Sequence, residues 1–291
     1  MSYDRKELIM RANVLAEALP YIHRLSGKTV VIKYGGNAMK DEGVTRTILE
    51  DVALLKIVGV NPILVHGGGP DINTMLNRLS IQPNFHNGLR VTDRETMEVV
   101  QMVLCGRLNK DITSRLNCLG ARAIGICGKD GRLIEARKKA ADDGTDLGFV
   151  GEIVRVNPKV LRLLQEDEFI PVIASVGTDE EGNSYNINAD TAAAEIASAL
   201  RAEKLIFLTD IDGVRRDPDD PASLIPALTV SEVSDLIRRG VISGGMIPKL
   251  EACVRCIEQG INRVHIINGT VPHPVMLEIF TDTGIGTMVT A

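Results

Sequence analysis

The segment Lys28-Thr-Val-Val-Ile-Lys-Tyr-Gly-Gly-Asn37 decides the fold, because its β-branched run leads directly to a lysine and two glycines. This pattern predicts a strand followed by a turn without side chains, where backbone N–H groups can approach a phosphate closely. The preceding Gly27–Thr29 is not the end of a P-loop, since a strand rather than a helix follows it. We therefore expect Lys33, Gly35 and Gly36 to contact phosphate.

Around this strand, short β-branched runs alternate with longer helical patterns along almost the whole chain. Such alternation is typical of βαβ units and predicts an α/β sandwich around a mainly parallel sheet. Between residues 130 and 188, glycine, aspartate and asparagine separate short extended segments, which predicts hairpins that pack on that sheet. The predicted core strands are Thr29–Lys33, Pro62–Val65, Ala123–Ile126, Ile170–Ala174, Leu205–Leu208 and Arg263–Ile267. The predicted helices lie near Lys40–Val58, Asp71–Leu79, Asp93–Leu119, Asp190–Leu200, Thr229–Arg238 and Met246–Gln259.

The composition of the 291 residues limits the class of protein. An apolar fraction of 44% indicates a well-cored globular chain, and a net charge of −5 argues against a nucleic-acid or anionic-membrane surface. Apolar runs stay short of the roughly 18 residues of a membrane span, and the N-terminus is acidic where a signal peptide would be basic or apolar. We therefore expect a soluble cytoplasmic protein.

The five cysteines are an odd number spread along the chain, which favours reduced thiols over a disulfide framework. Cys253 and Cys256 form a C-x-x-C pair that is compatible with a redox or zinc site. Both lie inside a helical pattern and no second pair follows them, so we expect buried structural thiols.

The first 27 residues form an extra helix ahead of the first strand. Pro20 removes a backbone donor and should kink this helix into two pieces. The apolar face is either packed on its own domain or exchanged as an arm with another subunit. The residues that trace this face at helical spacing are Leu8, Ala12, Leu15, Leu19 and Ile22.

A second glycine turn, Val65-His-Gly-Gly-Gly-Pro-Asp71, follows a strand and leads into a helix that Pro70 can start. Its bare N–H groups and the positive end of the helix dipole make it suitable for binding an anion, although a purely structural tight turn has the same sequence. His66 in such a turn more often packs or caps than acts as a base.

Four polar residues in the middle of the chain are candidates for ligand binding. Arg90 lies on a loop after the Asn87-Gly88 turn, where a guanidinium can contact a carboxylate bidentately or remain an ordinary surface side chain. Asn186, Asn188 and Asp190 alternate with apolar residues, so in an extended strand they project to one side. Asp190 is also a natural N-cap for the alanine-rich helix after it.

Two further segments suggest a ligand site in the last third of the chain. Ser243-Gly-Gly-Met-Ile-Pro-Lys249 starts a helix with a lysine in its first turn, where the helix dipole disfavours a cation by about 0.3–1 kcal/mol. A nearby anion would account for that lysine. Leu208-Thr-Asp-Ile-Asp-Gly213 ends a strand with acidic side chains, a position where open α/β sheets collect ligands, and its Asp-Gly also suits a turn.

Taken together from Lys28 to the end of the chain, these motifs resemble the amino acid kinase family. Within it the closest match is the branch that phosphorylates the γ-carboxylate of N-acetyl-L-glutamate in arginine biosynthesis. The segments Gly-Leu-Arg90-Val-Thr and Asn186-Ile-Asn-Ala-Asp190 separate it from carbamate, aspartate and uridylate kinases. The resemblance implies a three-layer αβα sandwich and an ATP-dependent transfer with Mg²⁺ accompanying the nucleotide. Another small-acid kinase and a non-catalytic arginine sensor are the rival interpretations.

The resemblance also implies residue roles. Lys33 and Lys249 would flank the transferring phosphoryl group, and Asp190 would hold both ammonium groups. The attacking carboxylate is already ionised at neutral pH, so no general base is required. N–H donors would come from Gly35, Gly36, Gly67 and Gly68, and substrate contacts from Arg90, Asn186 and Asn188. The nucleotide would be bound by Thr209, Asp210, Asp212, Gly213, Val214, Gly245 and Met246.

The N-terminal helix and the end of the chain resemble the arginine-inhibited members of the branch, in which such helices interlace three dimers into a homo-hexamer. The resemblance divides the chain into an oligomerisation helix at 1–27, an acyl-substrate lobe at 28–201 and a nucleotide lobe at 202–291. The position of Arg216 departs from the family pattern, which often has a lysine there. The implied effector residues are Tyr21, Arg216, Glu278, Gly284 and Gly286.

Overall fold

The computed structural model describes residues 5–39, 41–141, 143–217, 219–242, 246–281 and 283–291. The strands are β1 Thr29–Tyr34, β2 Asn61–His66, β3 Asn84–His86, β4 Leu89–Val91, β5 Ala123–Cys127, β6 Ile134–Lys138, β7 Gly151–Val156, β8 Ile170–Ala174, β9 Val176–Thr178, β10 Ser184–Asn186, β11 Lys204–Thr209, β12 Ala227–Thr229, β13 Arg263–Asn268 and β14 Thr287–Thr290. The helices are α1 Arg5–Glu17, α2 Leu19–Leu25, α3 Glu42–Ile57, α4 Gly69–Arg78, α5 Arg94–Gln101, α6 Asn109–Cys118, α7 Lys159–Glu166, α8 Ala189–Leu200, α9 Val230–Arg238, α10 Met246–Glu258 and α11 Pro274–Ile279.

An eight-stranded sheet forms the centre of the molecule, in the order β12-β14-β13-β11-β1-β2-β8-β5. From β13 to β5 every neighbouring pair is parallel, and β14 runs antiparallel to β13. The sheet crosses from the predicted acyl-substrate lobe into the predicted nucleotide lobe at β1 and β11 without interruption. The mainly parallel sheet predicted from the sequence is confirmed.

Both faces of this sheet are buried, which explains why its strands are apolar at consecutive positions. Side chains alternate between the faces, so Val31 joins one core and its neighbours Val30 and Ile32 join the other. Helices α8, α9 and α10 cover the first face, and α3, α6 and α11 cover the second. The layers therefore follow the predicted αβα sandwich.

A smaller four-stranded sheet, β10-β9-β6-β7, comes from the region that predicted hairpins. The pairs β6–β7 and β9–β10 are antiparallel, as expected. Helix α7 lies in the same region and is missing from the predicted helices. Its sequence, KVLRLLQE, is amphipathic, but it spans only eight residues between turn-forming segments.

The sequence predicts one continuous helix near Asp93–Leu119. The structure departs from this prediction in the middle of the segment. A π-helical segment, Met102–Leu108, joins α5 to α6 without a break in the helical backbone. Extra backbone turns of this kind displace the side chains that follow and occur often at functional sites. In this chain, the segment packs against the glycine turn after β2.

The N-terminal helix is broken at Ala18 into α1 and α2, with Pro20 in the first turn of α2, as its sequence predicts. Leu25 at the end of α2 is fully buried in the main core. By contrast, Leu15 is 74% exposed and Leu19 is 61% exposed, with Ile9 and Met10 also exposed. Much of the apolar surface of α1 is therefore not covered by the chain itself.

The thiols of Cys253 and Cys256 are buried and unpaired with each other, in agreement with the sequence interpretation. Burial raises the pKa of both thiols, that of Cys256 to about 12. Across the described part of the chain, no helix is both long and apolar enough to span a membrane.

Candidate active site

The carboxyl ends of β11, β1 and β2 lie side by side at one edge of the sheet, because these strands are parallel neighbours. Gly35 and Gly36 follow β1, the triple-glycine turn follows β2, and residues 210–213 follow β11. Open α/β sheets bind ligands at this edge, and the fold thus brings together motifs that are far apart in the sequence.

Only glycine fits at the tightest point of the turn after β2. A Cβ atom on Gly68 would lie 2.2 Å from Leu108 Cδ1 and 2.8 Å from Leu104 Cδ2, both on the π-helical segment. A Cβ atom on Gly67 would lie 3.2 Å from the Cβ of Ala189 at the start of α8. Backbone therefore lines the site here, where side chains would otherwise cover the N–H groups.

A cavity of about 280 Å³ opens in front of this turn. Eight of the residues that the sequence proposes for substrate and phosphate binding line it, namely Lys33, Gly35, Gly36, Gly67, Gly68, Arg90, Asn186 and Asn188. Phe85 and the π-helical Leu104 complete part of its wall. The lining of the cavity therefore combines polar backbone turns with apolar side chains.

Arg90 is only 8% exposed, so the alternative of an ordinary surface arginine is wrong. Its Nη2 donates to the Gly69 carbonyl at 3.3 Å, and its guanidinium carbon lies 4.7 Å from the centre of the Phe85 ring. Its Nη1 is buried and has no hydrogen-bond partner among the described residues. Burial lowers the pKa of Arg90. A carboxylate at Nη1 would supply the missing acceptor and a countercharge.

Lys33 and Asp190 form an ion pair, with Nζ 2.9 Å from Oδ1. Asp190 also lines a second cavity of about 380 Å³, and Lys249 lines the same cavity from the first turn of α10. No ion pair joins Lys249 to Asp190 among the described side chains. Asp190 thus pairs with Lys33 and lines one cavity together with Lys249.

The N-cap of α8 is Asn188, whose Oδ1 accepts from the Thr191 N–H at 3.0 Å, so the sequence alternative that gives this role to Asp190 is wrong. Asp190 lies in the first turn, because the helix begins at Ala189. Asn186 donates from Nδ2 to Thr92 Oγ1 at 3.2 Å. Both asparagines line the first cavity.

A third cavity, of about 350 Å³, lies beyond the end of β11. It is lined by the predicted residues Asp210, Asp212, Gly213, Val214 and Met246, together with Ile211, Arg215, Val241 and Ile242. Thr209 is not part of the lining, since its hydroxyl donates to backbone carbonyls of Ile211 and Ile267. Gly245 lies outside the described residues.

Some lining residues were not anticipated from the sequence. Val241 and Ile242 follow directly after Gly240 at the end of α9, and an apolar pair before the glycine-rich start of α10 is the signal that points to them. Nothing in the sequence around Phe85 indicates a binding residue. It reaches the first cavity because the β3–β4 hairpin places it there.

The residues that the resemblance implies for an arginine effector do not all lie close to one another. Glu278 is buried, accepts from His265 Nδ1 at 2.6 Å, and accepts from the backbone N–H groups of Ile285 and Gly286. Gly284 is so close that a Cβ atom there would lie 2.6 Å from Glu278 Oε2.

Tyr21 lines a separate hollow of about 650 Å³ that also contains Glu17, Arg24 and Phe280. Arg216 lies on the connection between β11 and β12, where its N–H donates to the Ser223 carbonyl. The five residues therefore occupy three neighbourhoods, and their role as an effector site stays a prediction.

The described geometry agrees with a comparison against known families. The model of the amino acid kinase family matches residues 28–268, which is most of the chain. The chain belongs to the amino acid kinase family. The recognition made from the motifs and the prediction of a kinase are thus confirmed.

Curated relatives of this amino acid kinase cover almost its full length. It is 55% identical to an acetylglutamate kinase of Caldicellulosiruptor bescii, over 99% of each chain. It is also 55% identical to an acetylglutamate kinase of Synechococcus elongatus, over 96% of this chain and 92% of that protein. The match therefore extends over both predicted lobes.

Solved structures of other proteins share this fold. N-acetylglutamate synthase from Neisseria gonorrhoeae, complexed with coenzyme A and N-acetyl-glutamate, superposes with a TM-score of 0.80 at 28% identity. That match covers 96% of this chain and 63% of the synthase, so the chain spans less than two thirds of that protein. A carbamate kinase from Giardia has a TM-score of 0.66 at 16% identity, over 91% of this chain and 99% of that one, and shows the shared fold alone.

Proposed function

We propose that this kinase phosphorylates the γ-carboxylate of N-acetyl-L-glutamate at the expense of ATP, giving an acyl phosphate in arginine biosynthesis. The observation that carries the proposal is the buried Arg90 guanidinium: its Nη1 has no hydrogen-bond partner among the described residues, and Arg90 lines the same cavity as Lys33 and the glycine turns. Such a cavity suits a dicarboxylate that is held at one end and reacts at the other. The names of the 55%-identical relatives support the same substrate.

In this proposal Arg90 binds the α-carboxylate, and the amides of Asn186 and Asn188 bind the acetamido end. Asn186 still has its carbonyl oxygen for a donor on the ligand, because the bond to Thr92 uses Nδ2. The backbone N–H groups of Gly67 and Gly68 contact the attacking γ-carboxylate, and those of Gly35 and Gly36 contact the moving phosphoryl group. These contacts fix the direction of attack.

Phosphoryl transfer needs little covalent chemistry from the protein, so its catalysis is mainly positioning and charge stabilisation. Lys33 and Lys249 supply positive charge on the two sides of the moving group, and the ion pair with Asp190 holds Lys33 in place. The closest histidine, His66, is not a base in this scheme. It is fully buried, and its Nδ1 is bonded to the Gly67 carbonyl.

ATP is the proposed phosphoryl donor, with its adenosine in the cavity beyond β11. The apolar side chains of Val214, Val241 and Met246 suit a base, and the acidic residues after β11 suit ribose hydroxyls. In this proposal Mg²⁺ accompanies the nucleotide and binds mainly to its phosphates.

We also propose that the enzyme is cytoplasmic, is inhibited by L-arginine, and assembles as a trimer of dimers through its N-terminal helix. The exposed Leu15 and Leu19 support the assembly, because an apolar helix face of this kind is stable in water when a second copy covers it. The hollow around Tyr21 and the nearby buried Glu278 support an effector site between that helix and the end of the chain.

An ADP-release assay with N-acetylglutamate, glutamate, aspartate and carbamate tests the proposal. We expect turnover with N-acetylglutamate, and a fall in kcat on the order of 10²-fold for Lys249→Ala at unchanged stability, because a charge at the transition state is lost. Arg255→Ala, on the outer side of the same cavity, is a suitable control. Turnover with none of the acids while arginine still binds would favour the sensor, and turnover with another acid would favour the rival kinase.

A further inference from the structure

We propose that His66 is a positioning residue that turns the Gly67–Gly68 peptide so that the Gly68 N–H points toward the attacking carboxylate. This inference rests on the proposed function and adds a residue that does not itself line the cavity. It also assigns the ring a specific tautomer, which is observable without an activity assay.

The hydrogen bonds of His66 determine which ring nitrogen carries the proton. Nδ1 lies 3.0 Å from the Gly67 carbonyl oxygen, which can only accept, so Nδ1 is the protonated nitrogen. Nε2 lies 3.1 Å from Nδ2 of Asn109 and therefore accepts from that amide. Burial lowers the pKa of His66 to about 4, so the ring is neutral at physiological pH. Both nitrogens are thus satisfied by the neutral Nδ1–H form.

Asn109 is oriented just as firmly as the ring. It is fully buried at the start of α6, and its Nδ2 also lies 2.9 Å from the Val172 carbonyl and 3.2 Å from the Ile126 carbonyl. The two N–H groups of this amide serve three acceptors, so one N–H is shared between two of them. Its Oδ1 accepts from Lys110 at 3.1 Å, so the amide oxygen and nitrogen cannot exchange places without losing these partners.

The neighbouring strand leaves room for this amide. A Cβ atom on Gly125 in β5 would lie only 2.1 Å from Asn109 Oδ1. A glycine in the middle of a strand weakens it, and close approach by another group is a common reason for its presence. The bonds therefore run from β5 and β8 through Asn109 and His66 to the glycine turn.

The consequence for the site follows from the geometry of a peptide bond. In a trans peptide, the carbonyl of Gly67 and the N–H of Gly68 point in opposite directions. When the ring holds the Gly67 carbonyl, it fixes the Gly68 N–H on the other side. Gly68 is part of the lining of the cavity and His66 is not, and the proposal places the Gly68 N–H on the cavity side of the peptide. A donor that is oriented before the reaction stabilises developing charge without reorganisation.

A matched pair of variants tests the proposal. In His66→Asn, the side-chain amide can place a donor near the position of Nδ1, and in His66→Gln it reaches the position of Nε2 instead. We expect His66→Gln to lower kcat on the order of 10²-fold, with KM for both substrates changed less than threefold, and His66→Asn to retain at least tenfold more of the activity. Equal losses in the two variants, or wild-type kcat in His66→Gln, would overturn the proposal.

A second measurement is independent of turnover. Nitrogen-15 NMR of ring-labelled protein at pH 7 should show one histidine, absent from the spectrum of His66→Asn, with Nδ1 protonated and Nε2 unprotonated. The opposite tautomer would overturn the proposal even if the enzyme is active.

The expected tautomer in a protein without turnover on any acid would refute the proposed function and leave the assignment of the ring standing. If both His66 variants fail to fold, Asn109→Ser keeps the ring and should still lower kcat about three- to tenfold without a change in KM. Wild-type kcat in that variant would count against the proposal.

Discussion

At the scale of single residues, Arg90 combines burial with an unused hydrogen-bond donor, which is costly unless a ligand supplies the partner. We expect Arg90→Ala to raise KM for N-acetylglutamate by about 10- to 100-fold, since a charge-assisted hydrogen bond contributes roughly 1.5–3 kcal/mol. The change in kcat should be much smaller. Steady-state kinetics with the acid as the varied substrate measures both.

Arg94→Ala is the matched control for this prediction. Arg94 is exposed at the start of α5 and lies 5.5 Å from the Phe149 ring, outside the cavity. Its removal should leave KM unchanged. If KM is also unchanged in Arg90→Ala, Arg90 does not bind the substrate carboxylate.

His66 also predicts a pH dependence of stability. Burial lowers its pKa from 6.5 to about 4, so between these values the unfolded chain binds a proton that the native ring does not. A depressed folded-state pKa contributes stability that is full above the unfolded pKa and is lost as the pH falls toward the folded one. The free energy of unfolding should therefore fall by about 2 kcal/mol between pH 7 and pH 5 on account of this group.

Urea unfolding of the wild type and of His66→Asn across this range isolates the effect, because asparagine does not titrate. The difference in unfolding free energy between the two proteins should narrow as the pH falls. A difference that stays constant would mean that the native His66 has a normal pKa, and a difference that widens would mean that its native pKa is raised.

At the scale of elements, the site depends on how closely the glycine turn after β2 packs against the π-helical segment. A Cβ atom on Gly68 would overlap both Leu104 and Leu108, whereas a Cβ atom on Gly69 would meet nothing within 4 Å. We expect Gly68→Ala to lower the free energy of unfolding by about 1–3 kcal/mol through overpacking, and to lower kcat because the turn shifts.

Gly69→Ala should change the stability by less than about 0.5 kcal/mol, because it adds a helix-forming residue in open space. Thermal unfolding and kcat of the two variants, measured side by side, test this difference. Equal stability of both variants would show that the π-helical segment yields easily and does not hold the turn.

At the scale of the whole molecule, exposed leucines continue from α1 into the start of α2. Leu15 in α1 and Leu19 in α2 are mostly exposed, whereas Leu25 at the end of α2 belongs to the main core. A deletion that tests the arm should therefore remove residues 1–17 and leave α2 in place. We expect this variant to remain active, to form a smaller assembly, and to be less sensitive to arginine.

Light scattering of the eluted protein and arginine titrations of its activity measure these outcomes. The double variant Leu15→Ser/Leu19→Ser tests the same surface in the full-length chain, and should also shrink the assembly. If both proteins still form a hexamer, the proposal that the N-terminal helix holds the assembly together is wrong.

How much of this structure follows from the sequence depends on the range of the interactions involved. The six predicted core strands, β1, β2, β5, β8, β11 and β13, were anticipated within about one residue, because a strand buried on both faces must be apolar at consecutive positions. Helix α7 was missed because eight residues carry too little periodic signal between turns. The N-cap of α8 was misplaced by two residues, since asparagine and aspartate have nearly the same preference for that position.

The sequence by itself determined the alternating α/β order and the two glycine turns after β1 and β2, because these depend on local backbone preferences. Only the tertiary structure decided that Lys33 meets Asp190, that Arg90 is buried with a free donor, and that His66 is held by Asn109. These contacts join residues far apart in the chain. They exist because parallel strands bring their carboxyl ends to one edge of the sheet, whatever their separation in sequence.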